Sequence, residues 1–211
     1  MNNPCFLTVE GIEGAGKTTC LDLIEQSIRR HGHRLLVTRE PGGTPIGEDL
    51  RKLLLGHRHE GMADDTELLL MFAARAEHLS ARIEPALAAG SWVLCDRFTD
   101  ATYAYQGYGR GVDLGRIATL ESWVQGDRRP DLTLIMDLPV ELGLERAGRR
   151  STPDRFESQA LEFFERVRGG YLALAAAAPE RYRVIDAARS FSEVSQQVTG
   201  VLDDFLDAPS T

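Results

Sequence analysis

The 211-residue sequence predicts an α/β fold in which a five-stranded parallel sheet is flanked by helices. Short apolar runs, which suit buried strands, alternate along the chain with longer segments of helical periodicity. A glycine-rich phosphate-binding motif lies between the first apolar run and the first helical segment. Because no repeat or Pro/Ser/Gly-rich linker divides the chain, we expect a single domain over residues 1–211.

The predicted strands are apolar runs separated by helical patterns. They cover residues 5–9, 35–37, 92–95, 132–136 and 182–185. The second run is continuously apolar, so we expect that strand to be buried on both faces. Helices are predicted to begin near residues 18, 50, 65, 141 and 190, and the third of them to extend to about residue 89. Asp64 with Glu67, and Ser190 with Glu193, have the spacing of helix capping boxes.

The composition limits the classes of protein to consider. Hydrophobic residues make up 43% of the chain, enough to form a large core. The net charge of -8 argues against a surface that coats nucleic acid, and no apolar stretch reaches the roughly 18 residues needed to cross a bilayer. The N-terminus lacks a hydrophobic signal core, and the three cysteines lack metal-ligand spacing. We therefore expect a cytoplasmic protein with free thiols and no transition-metal site.

The glycine-rich motif follows the pattern G-x-x-x-x-G-K-[ST], which binds the phosphates of a nucleoside triphosphate. Its glycines let successive backbone N–H groups point at an anion, and the following helix adds its positive N-terminal end. The lysine can reach the outer phosphates, and the threonine hydroxyl can bind Mg²⁺. A chance glycine turn is the alternative, but the strand–loop–helix context argues against it. The motif consists of Gly11, Ile12, Glu13, Gly14, Ala15, Gly16, Lys17 and Thr18.

Charged residues follow the second and third predicted strands. Arg39 and Arg51 flank a Pro-Gly-Gly turn after the second strand, and two guanidinium groups there suit a second anion. A surface turn with solvated charges is the alternative. Asp96 and Arg97 end the third strand, where the carboxylate could hold Mg²⁺ and the arginine could balance phosphate charge. A structural ion pair between these two residues is the competing interpretation.

Two further segments carry weaker signals. Residues 104–111 combine aromatic residues, a glutamine and glycines, a mixture that could stack on a base and read its edge. Arginines at 146, 149, 150 and 155 follow the fourth strand and are interrupted by a glycine and a proline. This pattern is typical either of a solvated helix face or of a mobile lid, over residues 146–157, that carries arginines to a transferring group. The sequence leaves these two interpretations open.

Together these motifs resemble the thymidylate kinase family. The resemblance rests on Glu13 in the phosphate-binding loop and on four segments in the family's order, at residues 38–44, 96–98, 104–107 and 154–155. It implies a P-loop, nucleoside-monophosphate-kinase-like three-layer fold and transfer of the γ-phosphoryl group of ATP to dTMP, giving dTDP for dTTP supply. It also implies Mg²⁺ as cofactor and a homodimer. The apolar content of the predicted helix at residues 65–89 makes that helix our candidate interface, although an intramolecular core is the commoner fate of such a face.

The resemblance implies roles for individual residues. The catalytic residues would be Lys17, Arg97 and Arg150, because the chain resembles the bacterial type in which the lid, rather than the loop position of Gly14, supplies an arginine. Besides the loop, ATP would contact Thr19, Arg146 and Arg149, and Mg²⁺ would contact Thr18 and Asp96. The dTMP site would comprise Glu13, Arg39, Pro41, Arg51, Met71, Phe72, Arg75, Arg97, Thr102, Tyr105 and Gln106.

The sequence departs from the family pattern at two positions. An aromatic residue usually stands four positions before the helix arginine and stacks on thymine. Here that position is Met71 and Phe72 follows it, about 100° further around the helix, so which of the two stacks on the base is open. Gly148 stands where lid arginines are common, so we expect a weaker hold on ATP.

Three alternative functions agree less well with the residues of this sequence. Another P-loop nucleoside or nucleoside-monophosphate kinase would keep the loop, but an uncharged acceptor would not need Arg39 and Arg51. A regulatory GTPase would need a guanine-reading N-K-x-D motif, which the sequence lacks. A structural protein without activity would not need arginines in a lid.

Overall fold

The computed structural model describes residues 4–56, 61–149, 155–156 and 159–207, and its centre is one five-stranded parallel sheet. The strands are β1 (Phe6–Glu10), β2 (Leu35–Arg39), β3 (Trp92–Asp96), β4 (Leu132–Asp137) and β5 (Tyr182–Asp186). Their order in the sheet is β2-β3-β1-β4-β5, and every neighbouring pair is parallel. The predicted α/β class and the five strands are therefore confirmed. The extent of the domain stays a prediction.

Helices connect and flank the strands. They are α1 (Lys17–Arg30), α2 (Pro45–Leu55), α3 (Asp64–His78), α4 (Glu84–Ala88), α5 (Thr99–Thr102), α6 (Leu114–Gln125), α7 (Val140–Gly148), α8 (Leu161–Ala177) and α9 (Phe191–Asp207). Two π-helical segments, Leu79–Ile83 and Tyr103–Gly109, continue α3 into α4 and extend α5. No helix in the described ranges is long and apolar enough to span a membrane.

The helix ends show which local signals the chain uses. Ser190 and Glu193 form the predicted capping box, because the Ser190 backbone N–H donates to the Glu193 carboxylate and the Glu193 N–H donates to the serine hydroxyl. The capping box predicted at Asp64 is wrong. Ala63 is the N-cap of α3 and provides no side-chain cap, whereas Glu67 is fully buried and binds other side chains.

The strands differ in burial according to their place in the sheet. Every residue of β1 is buried, because β1 lies in the centre between β3 and β4. The prediction that β2 is buried on both faces is wrong: Val37 is 38% exposed, and the other residues of this strand are at best half-buried. The reason is that β2 is at the edge of the sheet and, within the described ranges, pairs only with β3, which the apolar run alone could not indicate.

Candidate active site

A cavity of about 350 Å³ lies beyond the carboxyl ends of β1, β2 and β3. This is where the ligands of parallel α/β sheets bind. Many of the residues that line this cavity were predicted from the sequence to form the site. They come from the phosphate-binding loop, from the turn after β2, from helix α3 and from the segment after β3. Those lining residues are Glu13, Gly14, Lys17, Thr18, Pro41, Arg51, Met71, Arg75, Asp96, Arg97, Thr102, Tyr105 and Gln106.

The phosphate-binding loop joins β1 to α1. Gly16 is the N-cap of α1 and has no side chain to cap the helix, so backbone N–H groups of the first turn remain for an anion. Lys17 bends back over the loop, and its Nζ donates to the carbonyls of Gly11 at 3.0 Å and Ile12 at 2.9 Å. Burial, together with the positive charge of Arg97, lowers the pKa of Lys17 to about 8.

Helix α7 packs directly on this loop. Gly14 has a φ of +73°, and a methyl group added there would lie 1.9 Å from the carbonyl oxygen of Gly143. This distance is far inside van der Waals contact, so the two backbones approach as closely as a glycine allows. The approach places Ala147, later in α7, in the wall of the cavity.

Asp96 and Arg97 turn in different directions at the end of β3. The Asp96 side chain lines the cavity, and its Oδ1 is buried without a hydrogen-bond partner in the described part of the chain. Arg97 adopts a left-handed conformation, φ 68°, and its Nη2 donates to Glu13 at 2.8 Å. Arg97 thus pairs with Glu13 and not with Asp96, contrary to the competing interpretation. An unpaired buried carboxylate oxygen is costly unless a cation or a donor completes it.

Glu13 is held by a network of charged and phenolic groups. The Tyr105 hydroxyl lies 2.7 Å from both Glu13 oxygens, and Arg97 stacks over the Tyr105 ring at 4.9 Å. Arg97 Nη1 also donates to the Tyr171 hydroxyl, which in turn donates to Glu10 at 2.7 Å. Burial alone would lower the pKa of Arg97, but these phenols and carboxylates raise it well above its ordinary value. Arg97 is therefore a fixed positive charge.

Arg51 and Arg39, the two arginines that follow β2, have different surroundings. Arg51 lines the cavity and donates through Nη1 to the Pro41 carbonyl at 2.9 Å. Arg39 instead pairs with Glu48 at 2.9 Å, and its side chain is 52% exposed. Only Arg51 of the two thus faces the cavity here, and Arg39 adopts the solvated arrangement that the sequence left open.

Arg75 reaches the cavity from α3 and is anchored on three sides. Its Nε donates to Glu40 at 2.8 Å, and its Nη2 donates to the Phe98 carbonyl and the Thr102 hydroxyl. The remaining Nη1 is buried and has no hydrogen-bond partner among the described residues. Glu40 is itself fixed by His78, whose Nδ1 lies 3.0 Å from the carboxylate. Arg75 therefore keeps the two N–H groups of Nη1 for whatever occupies the cavity.

The two candidates for stacking on a base separate in the structure. Met71 lines the cavity, whereas Phe72 is 2% exposed and packs among Leu68, Val112 and Ile117. The 100° turn between consecutive helix residues accounts for this difference. The placement of Phe72 in the dTMP site is therefore contradicted. Aromatic rings do line the cavity, but they belong to Phe98, Tyr105 and Phe156 and not to α3.

The arginines expected in the lid have different surroundings. Arg146 donates to the Ala187 carbonyl at 2.8 Å, and Arg149 pairs at the surface with Glu145. Arg150 and most of residues 150–158 lie outside the described residues. Arg155 is 5% exposed and donates to the Leu54 carbonyl and to Glu67, so it is a buried anchor and not a mobile arginine. Thr19 projects from α1 and is exposed.

Comparison with known proteins decides the family. The thymidylate kinase family model matches residues 9–198. The chain belongs to the thymidylate kinase family. It is 57% identical over 202 residues to a thymidylate kinase of Pseudomonas putida F1, and 57% identical over 202 residues to one of Pseudomonas syringae pv. tomato DC3000. Each match covers 96% of this chain and 96% of the relative. The crystal structure of thymidylate kinase from Ehrlichia chaffeensis matches with a TM-score of 0.76 and 37% identity, covering 95% of this chain and 99% of that one.

Membership of the thymidylate kinase family confirms the predicted fold and the predicted activity. The chain is a kinase that transfers a phosphoryl group from ATP to dTMP and gives dTDP. The alternative of another nucleoside or nucleoside-monophosphate kinase gains no support from these relatives.

Several residues that shape this kinase site escaped the sequence analysis. Glu10, at the end of β1, accepts from the Phe98 backbone N–H and from Tyr171, and burial together with the charge of Asp100 raises its pKa to about 8. Glu67, predicted only as part of a capping box, and Glu40, within the segment 38–44, are buried acceptors for arginines. The one available signal was the i, i+4, i+8 spacing of Glu67, Met71 and Arg75, which places the three on one face of α3.

Proposed function

We propose that the cavity is where dTMP and the outer phosphates of ATP meet, and that its residues act chiefly by positioning and by balancing charge. The single observation behind this proposal is that one continuous cavity is lined both by Lys17 of the phosphate-binding loop and by Arg75 with its unpaired, buried Nη1. A cation for phosphates and a directed donor for a base suit a nucleotide acceptor beside a nucleotide donor.

Thymine would lie in the part of the cavity formed by α3 and the segment after β3. Arg75 Nη1 would donate to a carbonyl oxygen of the ring, while Thr102 and Gln106 line the same region. Met71 and Phe98 would pack on the ring faces, because a thioether and an aromatic ring both suit such contact. We expect only modest discrimination against dUMP, because one methyl group contributes about 1–3 kcal/mol.

The dTMP phosphate would be held by Arg51 and Arg97. Both guanidinium groups line the cavity, and Arg97 is oriented by Glu13 and Tyr171 before any ligand arrives. Arg39 would join them only after it leaves Glu48. Glu13 and Tyr105 would then lie beside the sugar. Such prior orientation lowers the reorganisation needed for in-line transfer.

The residues present fit a magnesium ion. Asp96 supplies a buried carboxylate oxygen without a partner in the described chain, and Thr18 supplies a hydroxyl in the same cavity wall. Oxygen ligands of this kind suit Mg²⁺, which keeps most of its coordination for water and ATP phosphates. When bound, Mg²⁺ would neutralise phosphate charge. Lys17 would hold the outer phosphates of ATP.

Lid closure would complete the site. Arg150 would bring a positive charge to the transferring group, Arg146 and Arg149 would leave their present partners to contact ATP, and the segment 146–157 would exclude water. An Arg150→Ala variant should lower kcat with little change in the Kd of dTMP, measured by calorimetry. Unchanged kcat would instead support a lid that is only a solvated surface.

The substrate is tested with a coupled assay of ADP formation with Mg-ATP and separate acceptors. We expect strong turnover of dTMP, weaker turnover of dUMP, and little turnover of dCMP, AMP or thymidine. Arg75→Met serves as the matched variant, since it removes the directed donor and keeps an unbranched side chain. Preferred turnover of thymidine would point to a nucleoside kinase, and equal use of dCMP would contradict the assigned base site.

We also propose a homodimer in the cytoplasm. Leu69 on α3 is 55% exposed and Trp123 on α6 is 82% exposed, and these two helices pack against each other. Large apolar side chains exposed together are typical of an interface. The net charge of -8 suits a protein that does not bind nucleic acid. Sedimentation velocity should show a dimer that Leu69→Glu weakens, and a wild-type monomer would contradict the assignment.

A further inference from the structure

The Glu67 carboxylate is a buried charge next to the cavity but not part of its wall. Its side chain is fully buried in the first turns of α3. Oε1 accepts from Gln106 Nε2 and from Arg110 Nε, both at 2.8 Å, and Oε2 accepts from Arg155 Nη2 at 2.6 Å. Burial alone would raise the pKa of Glu67, but its hydrogen bonds with Arg110, Gln106 and Arg155 hold that pKa below its ordinary value. Glu67 is therefore ionised at neutral pH.

An ionised carboxylate can only accept hydrogen bonds. The end of the Gln106 amide that faces Glu67 must therefore be its NH₂ group, whatever occupies the cavity. Gln106 is 1% exposed and lines the cavity, so the group that its amide presents there is the carbonyl Oε1. A glutamine without such a partner could turn its amide over and present either a donor or an acceptor.

We infer that Glu67 is a positioning residue that makes the site selective for a base with a protonated ring nitrogen, and this inference rests on the proposed binding of dTMP in the cavity. Thymine presents an N3–H donor beside a carbonyl, whereas cytosine presents an N3 acceptor beside an amino group. The locked Gln106 carbonyl accepts from the first and repels the second. Arg75, which shares a hydrogen bond with Thr102 one helical turn from Gln106, supplies the complementary donor.

Residues of helix α3 therefore determine both groups that would contact the base edge, the Arg75 guanidinium and the Gln106 carbonyl. Arg75 acts directly, and Glu67, two turns earlier on the same face, acts through Gln106. Glu67 does not line the cavity, so its spacing from Met71 and Arg75 in the sequence does not by itself include it in base recognition; its contact with Gln106 does. Its effect should appear in the choice between bases and not in the handling of phosphate.

The test compares the calorimetric Kd values of dTMP, dUMP and dCMP. In Glu67→Met no carboxylate remains to accept from Gln106 Nε2, so the Gln106 amide can turn over. We expect the dCMP-to-dTMP ratio of Kd values to fall about tenfold, which is about 1.4 kcal/mol. The dUMP-to-dTMP ratio should stay unchanged, because uracil and thymine have the same edge. An unchanged dCMP-to-dTMP ratio in the folded variant overturns the inference.

Two variants separate orientation from general damage to the buried cluster. Arg110→Gln removes another partner of Glu67 but leaves the Gln106 contact, so it should lower stability without changing the ratio. The exchanged pair, Glu67→Gln with Gln106→Glu, again presents only an acceptor to the cavity. It should restore the preference for dTMP, and a folded exchanged pair without that preference overturns the inference.

A measurement on the wild-type protein does not depend on any variant folding. A crystal structure of the dTMP complex should show Gln106 Nε2 on Glu67 and Oε1 within hydrogen-bond distance of thymine N3. A Gln106 that has left Glu67 or faces away from the base overturns the inference. A complex in which dTMP binds outside this cavity would contradict the proposed function instead, so the two failures are distinguishable.

Discussion

The buried carboxyl group of Glu10 predicts an unusual dependence of stability on pH. Burial and the nearby charge of Asp100 raise the pKa of Glu10 from 4.5 to about 8 in the folded protein. Between these two pH values the folded state holds a proton that the unfolded state has released, so the free energy of unfolding falls as pH rises. With 1.36 kcal/mol per pH unit, the loss between pH 4.5 and pH 8 is at most about 5 kcal/mol.

Replacement of Glu10 by glutamine removes this proton exchange and keeps the shape of the side chain. The carbonyl of the introduced amide can accept from the Phe98 N–H, and its NH₂ can donate to the Tyr171 hydroxyl, which are the two neighbours of the natural carboxyl. We expect Glu10→Gln to be more stable than wild type at pH 8 and to lose that advantage progressively toward pH 5.

Urea unfolding at pH 5, 6, 7 and 8 measures the effect. Glu25→Gln, at an exposed ion pair on α1, is the control for removing one carboxylate from the chain. The slope of unfolding free energy against pH should differ between wild type and Glu10→Gln by about 1 kcal/mol per pH unit, and the control should follow wild type. Parallel curves for wild type and Glu10→Gln would refute the reasoning.

Three further predictions concern the site. Because burial lowers the pKa of Lys17 to about 8, its positive charge is lost as pH rises, so kcat/KM for ATP should fall about tenfold per unit above pH 8 in a pH–rate profile; a flat profile would contradict this. Arg75→Lys should lower kcat/KM for dTMP at least about tenfold in steady-state assays, because an ammonium cannot serve Glu40, Thr102 and the base together. Phe72→Ala should cost about 3–5 kcal/mol in urea unfolding, whereas Met71→Ala should chiefly weaken dTMP binding by calorimetry; the reverse pattern would return Phe72 to the site.

The sequence predicted those parts of the site that depend on local signals. The phosphate-binding loop, the residues after β3 and the five strands all follow from short patterns of glycine, charge and apolar periodicity. Such patterns place Lys17, Asp96 and Arg97 at the carboxyl edge of the sheet without any knowledge of distant contacts.

What the sequence could not predict are partners that meet from far along the chain. Glu67 contacts Arg155 and Tyr171 contacts Glu10 across separations of 88 and 161 residues, and a single sequence holds no record of such pairs. The same limit explains why the apolar run at residues 35–37 wrongly predicts burial on both faces of β2, since such a run does not show how many neighbours a strand has. Whether Met71 or Phe72 faces the cavity depends on how α3 is rotated about its axis, and that rotation is fixed only by the packing of the helix.

The contact between the phosphate-binding loop and α7 restricts how this enzyme can evolve. The resemblance implies that some family members carry an arginine at the position of Gly14. In this chain a Cβ at that position would lie 1.9 Å from the Gly143 carbonyl oxygen, which is a steric clash. A Gly14→Arg substitution would thus displace α7 and the start of the lid before it could contribute a charge. In this chain a side chain at position 14 therefore needs a compensating change in the backbone of α7 around Gly143.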